Sequence, residues 1–576
     1  MKRRNFIGLL STSGGILASN PGFSEAASVN SYVASAASTL AGSKEYYADV
    51  VVAGGGLGGF AAALASLRNG LRVILTEETD WIGGQITQQG VPPDEHQWIE
   101  THGAPQSYRD FRTGVREYYK RFYPLTAEAR NRTNLNPGDG IVSRLCQEPR
   151  VALAVLMNTL APYISQGKLT LLLEHKVTGA EVVGDRVKAL QVRNLRSRRD
   201  IILAAPYFVD ATELGDLLPL TGTEFVTGTE SKKQTRELHA PEVGDPNNNQ
   251  SFTMCFAVDY VKGQNHVIEK PMDYNFWKNY VPKMIPVWPG KMISLMYSTP
   301  NNPTVPKTLG FHPEGIKTDA ALNLWNYRKI INKNNFVEGS YPGDITIVNW
   351  PQNDYVLGNI VGASEKEFKK HVAQAKQQSL AMLYWLQTEA PRPDGSQGWE
   401  GLRLRNDIMG TEDGLAKYPY IRESRRIKAV FTVLEEHVGM ENRALVNGQS
   451  TDIKAADFYD SVGIGYYHID LHPSSGGINY VDFGSLPFQI PLGALIPQRV
   501  ENLIPANKNI GTTHITNGCY RLHPVEWSIG EAVGVLVAHS IKNKTLPRAI
   551  REDSSKLQEF QSFIRSQGIE THWPKV

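Results

Sequence analysis

The stretch Asp49-Val-Val-Val-Ala-Gly54-Gly-Gly56-Leu-Gly-Gly59 precedes an Ala-rich run and then Arg72-Val-Ile-Leu-Thr-Glu77. That order predicts a strand, a glycine turn, a helix and a second strand ending in an acid. Each part has a physical task in holding a dinucleotide. Gly54 permits the tight turn, Gly56 lets the backbone approach a pyrophosphate, and Gly59 lets the helix lie close on the strand. Leu57 and Gly58 open the helix whose unpaired amides and dipole face the phosphates. Glu77, eighteen residues after Gly59, is placed to accept both hydroxyls of an adenosine ribose. In a chain with 51 glycines the spacing alone also fits a glycine-rich turn of an ordinary α/β domain. The strand, helix and terminal acid in register favour the dinucleotide.

After Glu77 comes Glu78-Thr-Asp-Trp81-Ile-Gly83-Gly84-Gln85, a second glycine pair suited to a loop that folds back over the pyrophosphate. With it the chain resembles the large flavoprotein superfamily in which GxGxxG, the acid and a Gly-Gly pair bind FAD. Within that superfamily it is similar to the group called FAD-dependent oxidoreductases. The likeness is carried by Trp81 to Gln85, by Ser143-Arg-Leu-Cys146, and by Asn517-Gly-Cys-Tyr-Arg-Leu-His523-Pro-Val-Glu-Trp527-Ser-Ile-Gly530. It covers most of the chain and is vaguest between about residues 230 and 400.

The resemblance implies an α/β fold: a Rossmann-like FAD-binding domain with a β-meander, plus an inserted α+β substrate domain. It places the backbone near Val177 beside the adenine and the turn Asp210-Ala211-Thr212 near the pyrophosphate. The family often has Gly where this chain has Glu213. The segment ending Asn507-Lys508-Asn509-Ile-Gly511 corresponds to the turn holding the ribityl chain and flavin, with asparagines where Gly and an acid are common. Asn509 and Gly511 are the expected contacts there. The helix after Pro524 would point its N-terminus at the flavin pyrimidine ring. Its dipole would stabilise negative charge on that ring. Gly530, Gly534 and Ala538 give it a small-residue face for close approach to a sheet or cofactor.

With 60 basic and 58 acidic side chains the net charge is +2, which gives no electrostatic case for nucleic acid or anionic membranes as partners. Three cysteines are too few and too scattered for a disulfide framework or a zinc cluster, and nothing points to a metal. No run of eighteen apolar residues exists, so no membrane span is expected. Lys2-Arg3-Arg4-Asn5-Phe6-Ile7 before a mild apolar stretch resembles a twin-arginine export signal, with Ser24-Glu-Ala26 a plausible cleavage site. A basic, disordered terminus is the alternative. The export reading implies a periplasmic or extracellular protein.

The pattern divides the chain into a signal and lead-in (1–45), an FAD domain (46–228 and 490–545), a substrate domain (229–489) and a tail (546–576). Ser107-Tyr-Arg-Asp110 predicts a capping box opening a helix whose aromatic face is Tyr108, Phe111, Val115, Tyr118 and Phe122. Pro149 and Gly167 bracket a second helix. Leu169 to His175 reads as one strand, Gly184-Asp185 as a hairpin turn, and Tyr207 to Thr212 as a returning strand. Helices are expected around 364–388 and 423–437. No second GxGxxG with a following acid is present, so electrons should leave to a diffusible acceptor or another protein.

Removing a hydride from a small organic substrate requires a base for the departing proton. The candidates are His523, beside the helix proposed to face the flavin, His472 in the glycine-flanked Ile469-Asp470-Leu-His472-Pro, Glu526 and His468. Cys146 reads as a small buried hydrophobe, a redox thiol or a flavin tether. Arg144, Arg425, Arg426 and Arg521 could clamp a substrate oxygen or make ordinary ion pairs. The Trp, Tyr and Asn content of residues 229–489 suits a sugar or polyol. The competing readings are an NAD-dependent dehydrogenase and a non-catalytic exported ligand-binding protein.

Overall fold

A computed structural model describes residues 44–315, 322–448 and 453–574. The twin-arginine segment and its cleavage site lie outside the described residues. From Glu45 onward the chain is one compact unit. Its first half contains β1 (Val50–Ala53), α1 (Leu57–Arg68), β2 (Val73–Glu77), α2 (Gln106–Phe122) and α3 (Pro149–Ser165). There follow β3 (Leu169–Leu173), the meander β4 (His175–Val183), β5 (Arg186–Asn194) and β6 (Asp200–Ala204), and β7 (Tyr207–Asp210). The middle adds β8 (Phe256–Tyr260), β9 (Lys329–Ile331), β10 (Ile345–Val348), α4 (Glu365–Thr388) and β11 (Leu402–Leu404). Last come β12 (Ile469–Leu471), β13 (Leu503–Pro505) and α5 (His523–Asn543).

β1 is four consecutive apolar residues, all buried, as a strand covered on both faces must be. It is the centre of a five-stranded parallel sheet, β13–β7–β1–β2–β3, in which Val51 pairs with Ile74 on one side and Phe208 on the other. β8 to β11 form a second, antiparallel sheet in the order β9–β10–β8–β11. The α/β class, with a Rossmann-like parallel sheet, a meander and an inserted α+β part, is therefore the observed one.

α1 is buried from Leu57 to Leu67, so it is apolar all round and packed on both sides. One side meets the sheet, where a Cβ on Gly59 would stand 1.9 Å from the Gly54 carbonyl oxygen. The other side meets α5, where a Cβ on Gly530 would stand 2.0 Å from the Gly58 oxygen and one on Gly534 2.4 Å from that of Ala62. The small-residue face of α5 thus lies against α1 rather than against sheet or cofactor. Gly58 is itself a packing residue, because a Cβ there would meet the Ala506 oxygen at 1.6 Å.

Four local expectations change. α2 starts at Gln106 with Pro105 as its cap, and no capping box forms. The Ser107 hydroxyl instead donates to Glu531 and accepts the Trp527 indole N–H at 2.7 Å, tying α2 to α5. Tyr119 joins the buried face of α2, whereas Phe122 is 59% exposed. The run Leu169 to His175 breaks at Glu174, which adopts φ +57° between β3 and β4. Residues 423–437 hold only the short helix Glu435–Val438. There the buried Arg426 pairs with Glu230 and the buried Glu423 with His514, and Arg426 pairs in a strand with Val226, so long-range contacts override helical propensity. No helix among the described residues is long and apolar enough to cross a membrane.

Candidate functional site

The carboxyl ends of β1, β2 and β7 open onto one cleft lined by Gly54, Gly56, Glu77, Val177, Ala211 and Thr212, with Glu78, Glu213 and Tyr418 among its other walls. Gly54 turns at φ +97°, and a Cβ there would meet the Ala211 oxygen at 2.2 Å, so the turn requires glycine. The second glycine pair folds back onto the first turn: Gly83 N–H donates to the Gly55 carbonyl at 2.7 Å. Gly84 N–H donates to Gln88 Oε1 at 3.0 Å. Glu77 accepts the amides of Gly55 at 2.9 Å and Thr79 at 2.8 Å, fixing the end of β2 against the turn.

Several expected cofactor residues hold the cleft's frame instead of facing it. The Asp210 carboxylate turns into its own loop, accepting from Thr212 and from the Leu217 amide. Asn509 spends both ends of its amide on the turn after β13, accepting from Asn507 N–H and donating to the Asp210 carbonyl. A Cβ on Gly511 would press on Ala429 at 2.4 Å. Beside Gly56, Asn507 donates its amide to the Ala211 carbonyl at 3.3 Å, its nitrogen 3.6 Å from the Cβ position of Gly56, and keeps a buried Oδ1 without a partner. Gln85 reaches the other way, donating to the Arg521 carbonyl at 3.0 Å.

The residues present fit FAD. Next to Gly56 the two nearest atoms are side-chain ones, Glu213 Oε1 at 3.0 Å and Asn507 Nδ2 at 3.6 Å from its Cβ position, with the Ala211 carbonyl oxygen further off at 3.9 Å. Glu213 Oε1 and Asn507 Oδ1 are buried polar atoms without hydrogen-bond partners, which is the mark of a groove built for a ligand. Lys508 holds the other oxygen of Glu213 at 2.6 Å and lies 3.1 Å from Glu526, all three being buried. Burial opposes the charge of Lys508, but the two carboxylates outweigh it and raise its pKa. Burial raises that of Glu526 against the pull of Lys508.

A second cavity, of about 230 Å³, adjoins this frame. Its walls include Asp94 and Arg521 from the FAD-binding part and Tyr297, Arg328, Asn349, Trp350, Tyr420, Arg422, Tyr467, His468, Asp470, His472 and Tyr480 from the inserted part. His472 Nδ1 lies 2.6 Å from Asp354 Oδ2, and its Nε2 lies 3.4 Å from Asp470 Oδ2. Although burial opposes it, Arg422 at 3.1 Å and His472 hold Asp354 below the ordinary carboxylate range, so it stays ionised. Arg328 pairs with Asp94 at 3.1 Å and Arg521 with Asp470 at 3.2 Å.

His523 does not line this cavity. It is wholly buried, and its Nδ1 accepts the Asp94 backbone N–H at 3.1 Å. Burial pushes it down to about 3, so the ring is neutral, with its proton on Nε2. Asp94, Asp354, Arg328 and Arg422 complete the cavity without having been singled out from the sequence, whereas Asn507, Lys508 and Glu213 at the groove lie in segments the sequence had placed beside the cofactor. Cys146 lines neither cleft and burial pushes its thiol up to about 12, which leaves it a small buried side chain. Arg144 is exposed, Arg425 pairs with Asp216, and Arg426 pairs with Glu230 and Glu423.

Burial raises the Glu77 carboxyl from 4.5 to about 7. In FAD-free protein its contribution to stability is fully present below 4.5 and is lost as pH rises through about 7. Wild type should lose about 3 kcal/mol against Glu77→Gln between roughly pH 4 and pH 8 in urea unfolding. A gap that does not change with pH contradicts this account of Glu77.

The family model for FAD dependent oxidoreductases matches residues 49–563. No curated protein matches the chain significantly. Among solved structures, E. coli quinol fumarate reductase is 10% identical over 91% of this chain and 74% of its own, with a TM-score of 0.32. L-proline dehydrogenase from P. horikoshii is 17% identical over 32% of this chain, which spans only 24% of that protein, with a TM-score of 0.16. Glycerol-3-phosphate dehydrogenase from Bacillus halodurans, solved with FAD, is 14% identical over 39% and 42% of the two chains, with a TM-score of 0.23. Likenesses this loose carry no argument, whereas the family match spans nearly the whole described chain. It sets aside the NAD-dependent and non-catalytic readings. The chain belongs to the FAD-dependent oxidoreductase family, an FAD-binding enzyme family.

Proposed function

We propose that the enzyme oxidises a CH–OH carbon of a small hydroxylated molecule, a sugar or polyol, held in the 230 Å³ cavity, and passes the electrons to an acceptor outside the chain. The observation that carries this reading is the placement of His472 on the cavity wall with Nδ1 2.6 Å from the ionised Asp354. Bound FAD supplies the hydride acceptor. Gly54, Gly56, Glu77, Gly84, Val177, Thr212 and Asn507 are the residues that would hold it.

His472 donates its Nδ1–H to Asp354, which fixes the tautomer and leaves Nε2 to take the hydroxyl proton as the hydride departs. The carboxylates of Asp354 and Asp470 on either side stabilise the imidazolium that results. Tyr297, Tyr420, Tyr467, Tyr480 and Trp350 give the cavity flat faces and hydroxyls suited to sugar stacking and hydrogen bonding. His523 is assigned a positioning role: its Nδ1 is engaged by Asp94, the partner of Arg328 on the cavity wall. Glu526, paired with Lys508 behind the groove, is assigned to the cofactor side.

Anaerobic bleaching of the flavin by a panel of aldoses and polyols tests the reading. At least one should reduce the wild type, and His472→Gln should slow that step roughly a hundredfold with FAD retained. No bleaching by any of them contradicts the substrate class, and unchanged rates in His472→Gln contradict the base. We also propose export by the twin-arginine route, which Arg3-Arg4 before Phe6 supports. Replacing both arginines by lysine should retain the precursor in the cytoplasm, and undiminished export would contradict that route.

A further inference from the structure

Seven of the nineteen exposed large hydrophobic residues among the described residues fall between Met272 and Val305. The clearest pattern is in residues 281–288. Pro282, Met284 and Trp288 are buried, while Val281, Ile285 and Val287 are 49%, 80% and 78% exposed, with exposed Lys283 between them. Alternation of this kind turns one set of side chains to the core and the other outward. The inward set, with Trp288 at 1%, anchors the segment. The outward set is apolar where folding alone requires nothing apolar.

The same surface continues on both sides. Met272, 92% exposed, lies just before the short helix Tyr274–Asn279, on which Phe276 is 52% exposed. Met296 and Val305 are exposed on the hairpin of Met296–Thr299 and Asn302–Thr308. Contacts tie these pieces together: Met292 N–H donates to the Tyr280 carbonyl at 2.9 Å. The Asn479 amide donates both to the Pro286 carbonyl at 3.0 Å and to Ser298 Oγ at 2.7 Å. Tyr297 and Tyr480, the neighbours of Ser298 and Asn479, line the 230 Å³ cavity. The apolar strip and the cavity wall are therefore built from the same segments.

Charge selects the partner. Residues 262–307 contain six lysines, no arginine and only Glu269 and Asp273 as acids; with Glu314 and Glu389 paired to Lys262 and Lys278, positive charge still predominates there, in a chain whose total is +2. Lys270, Lys283 and Lys291 are exposed and carry no ion pair among the described residues, whereas Lys262 is held by Glu314 at 2.9 Å. Protein-binding surfaces favour arginine and are depleted in lysine. A surface of protruding Met, Ile and Val ringed by lysines matches the boundary of an anionic bilayer, where apolar tips enter the acyl region and ammonium groups meet the headgroups.

We propose that the strip Met272–Val305 docks this enzyme onto the surface of a membrane containing anionic lipid, beside its substrate cavity. The docking is peripheral and needs no spanning helix. It goes beyond the oxidation chemistry and does not depend on the identity of the substrate.

The test is sedimentation of the full-length, FAD-loaded protein with vesicles of phosphatidylcholine alone or mixed with phosphatidylglycerol. The wild type should pellet with the mixed vesicles and much less with phosphatidylcholine. Ile285→Asp with Val287→Asp should lower partitioning at least ~10-fold, since two charges would enter the apolar boundary. Lys283→Gln should lower it roughly fivefold, the scale expected for one lysine near an anionic surface. Unaltered flavin absorbance and unfolding temperature in each variant establish that the fold is intact. Failure of the wild type to pellet with mixed vesicles overturns the proposal, as does equal pelleting by the double variant. If the double variant instead abolishes a concentration-dependent dimer seen in sedimentation velocity without vesicles, the strip's occupant is a second copy of the chain and the membrane proposal is overturned.

Discussion

The contact on which the rest of the molecule depends is the one between α1 and α5, where backbone meets backbone with no side chain between. Gly58 faces the Ala506 carbonyl on one side and Gly530 on the other, at separations that no Cβ could share. This clamps the glycine turn between the sheet, through Gly59 and Gly54, and the C-terminal helix, through Gly530 and Gly534. Because α5 is thereby fixed relative to β1, the residues at its start are fixed relative to the cofactor groove. Close helix packing at one end of the chain positions chemistry contributed by the other.

Two sites share the wall that this clamp creates. Residues 83–85 fold over the dinucleotide turn, and the Gln85 side chain reaches the Arg521 carbonyl. The Asp94 amide is held by His523 at the first turn of α5. Arg521 and Asp94 in turn line the 230 Å³ cavity. The groove and the cavity are thus two sides of one partition, and a small shift of α5 would alter both. The buried Glu213–Lys508–Glu526 cluster lies on the groove side and the Asp354–His472–Asp470 cluster on the cavity side, so each side has its own compensated charge.

The dinucleotide turn was legible because its information is local: three glycines, a strand and an acid at fixed spacing are read within thirty residues. The pair proposed for catalysis was half legible. His472 stood out in its glycine-flanked segment, but Asp354 is 118 residues away and nothing near it announces the contact. The same holds for Arg328 and Arg422, whose meaning comes from the cavity they share. Misreadings have a common cause. Ser107 looked like a cap and residues 423–437 like a helix, yet in both places a tertiary partner, Glu531 or the Glu230 that pairs with Arg426, took the polar groups that local structure would have used. Asn507 displaced Asn509 at the groove because Asn509 is consumed in holding the turn.

The claim that the α1–α5 contact sets the cofactor groove is tested most directly by flavin absorbance and thermal unfolding of Gly530→Ala, with Gly56→Ala as its counterpart. The alanine Cβ at 530 would lie 2.0 Å from the Gly58 backbone oxygen, and only movement of a whole helix relieves that. Gly530→Ala should lose at least about 1–3 kcal/mol of stability, and FAD with it. At Gly56 the nearest atom is the end of the Glu213 side chain, at 3.0 Å, so Gly56→Ala should fold but hold less FAD. A Gly530→Ala protein that keeps full flavin occupancy and the wild-type unfolding temperature would contradict the account.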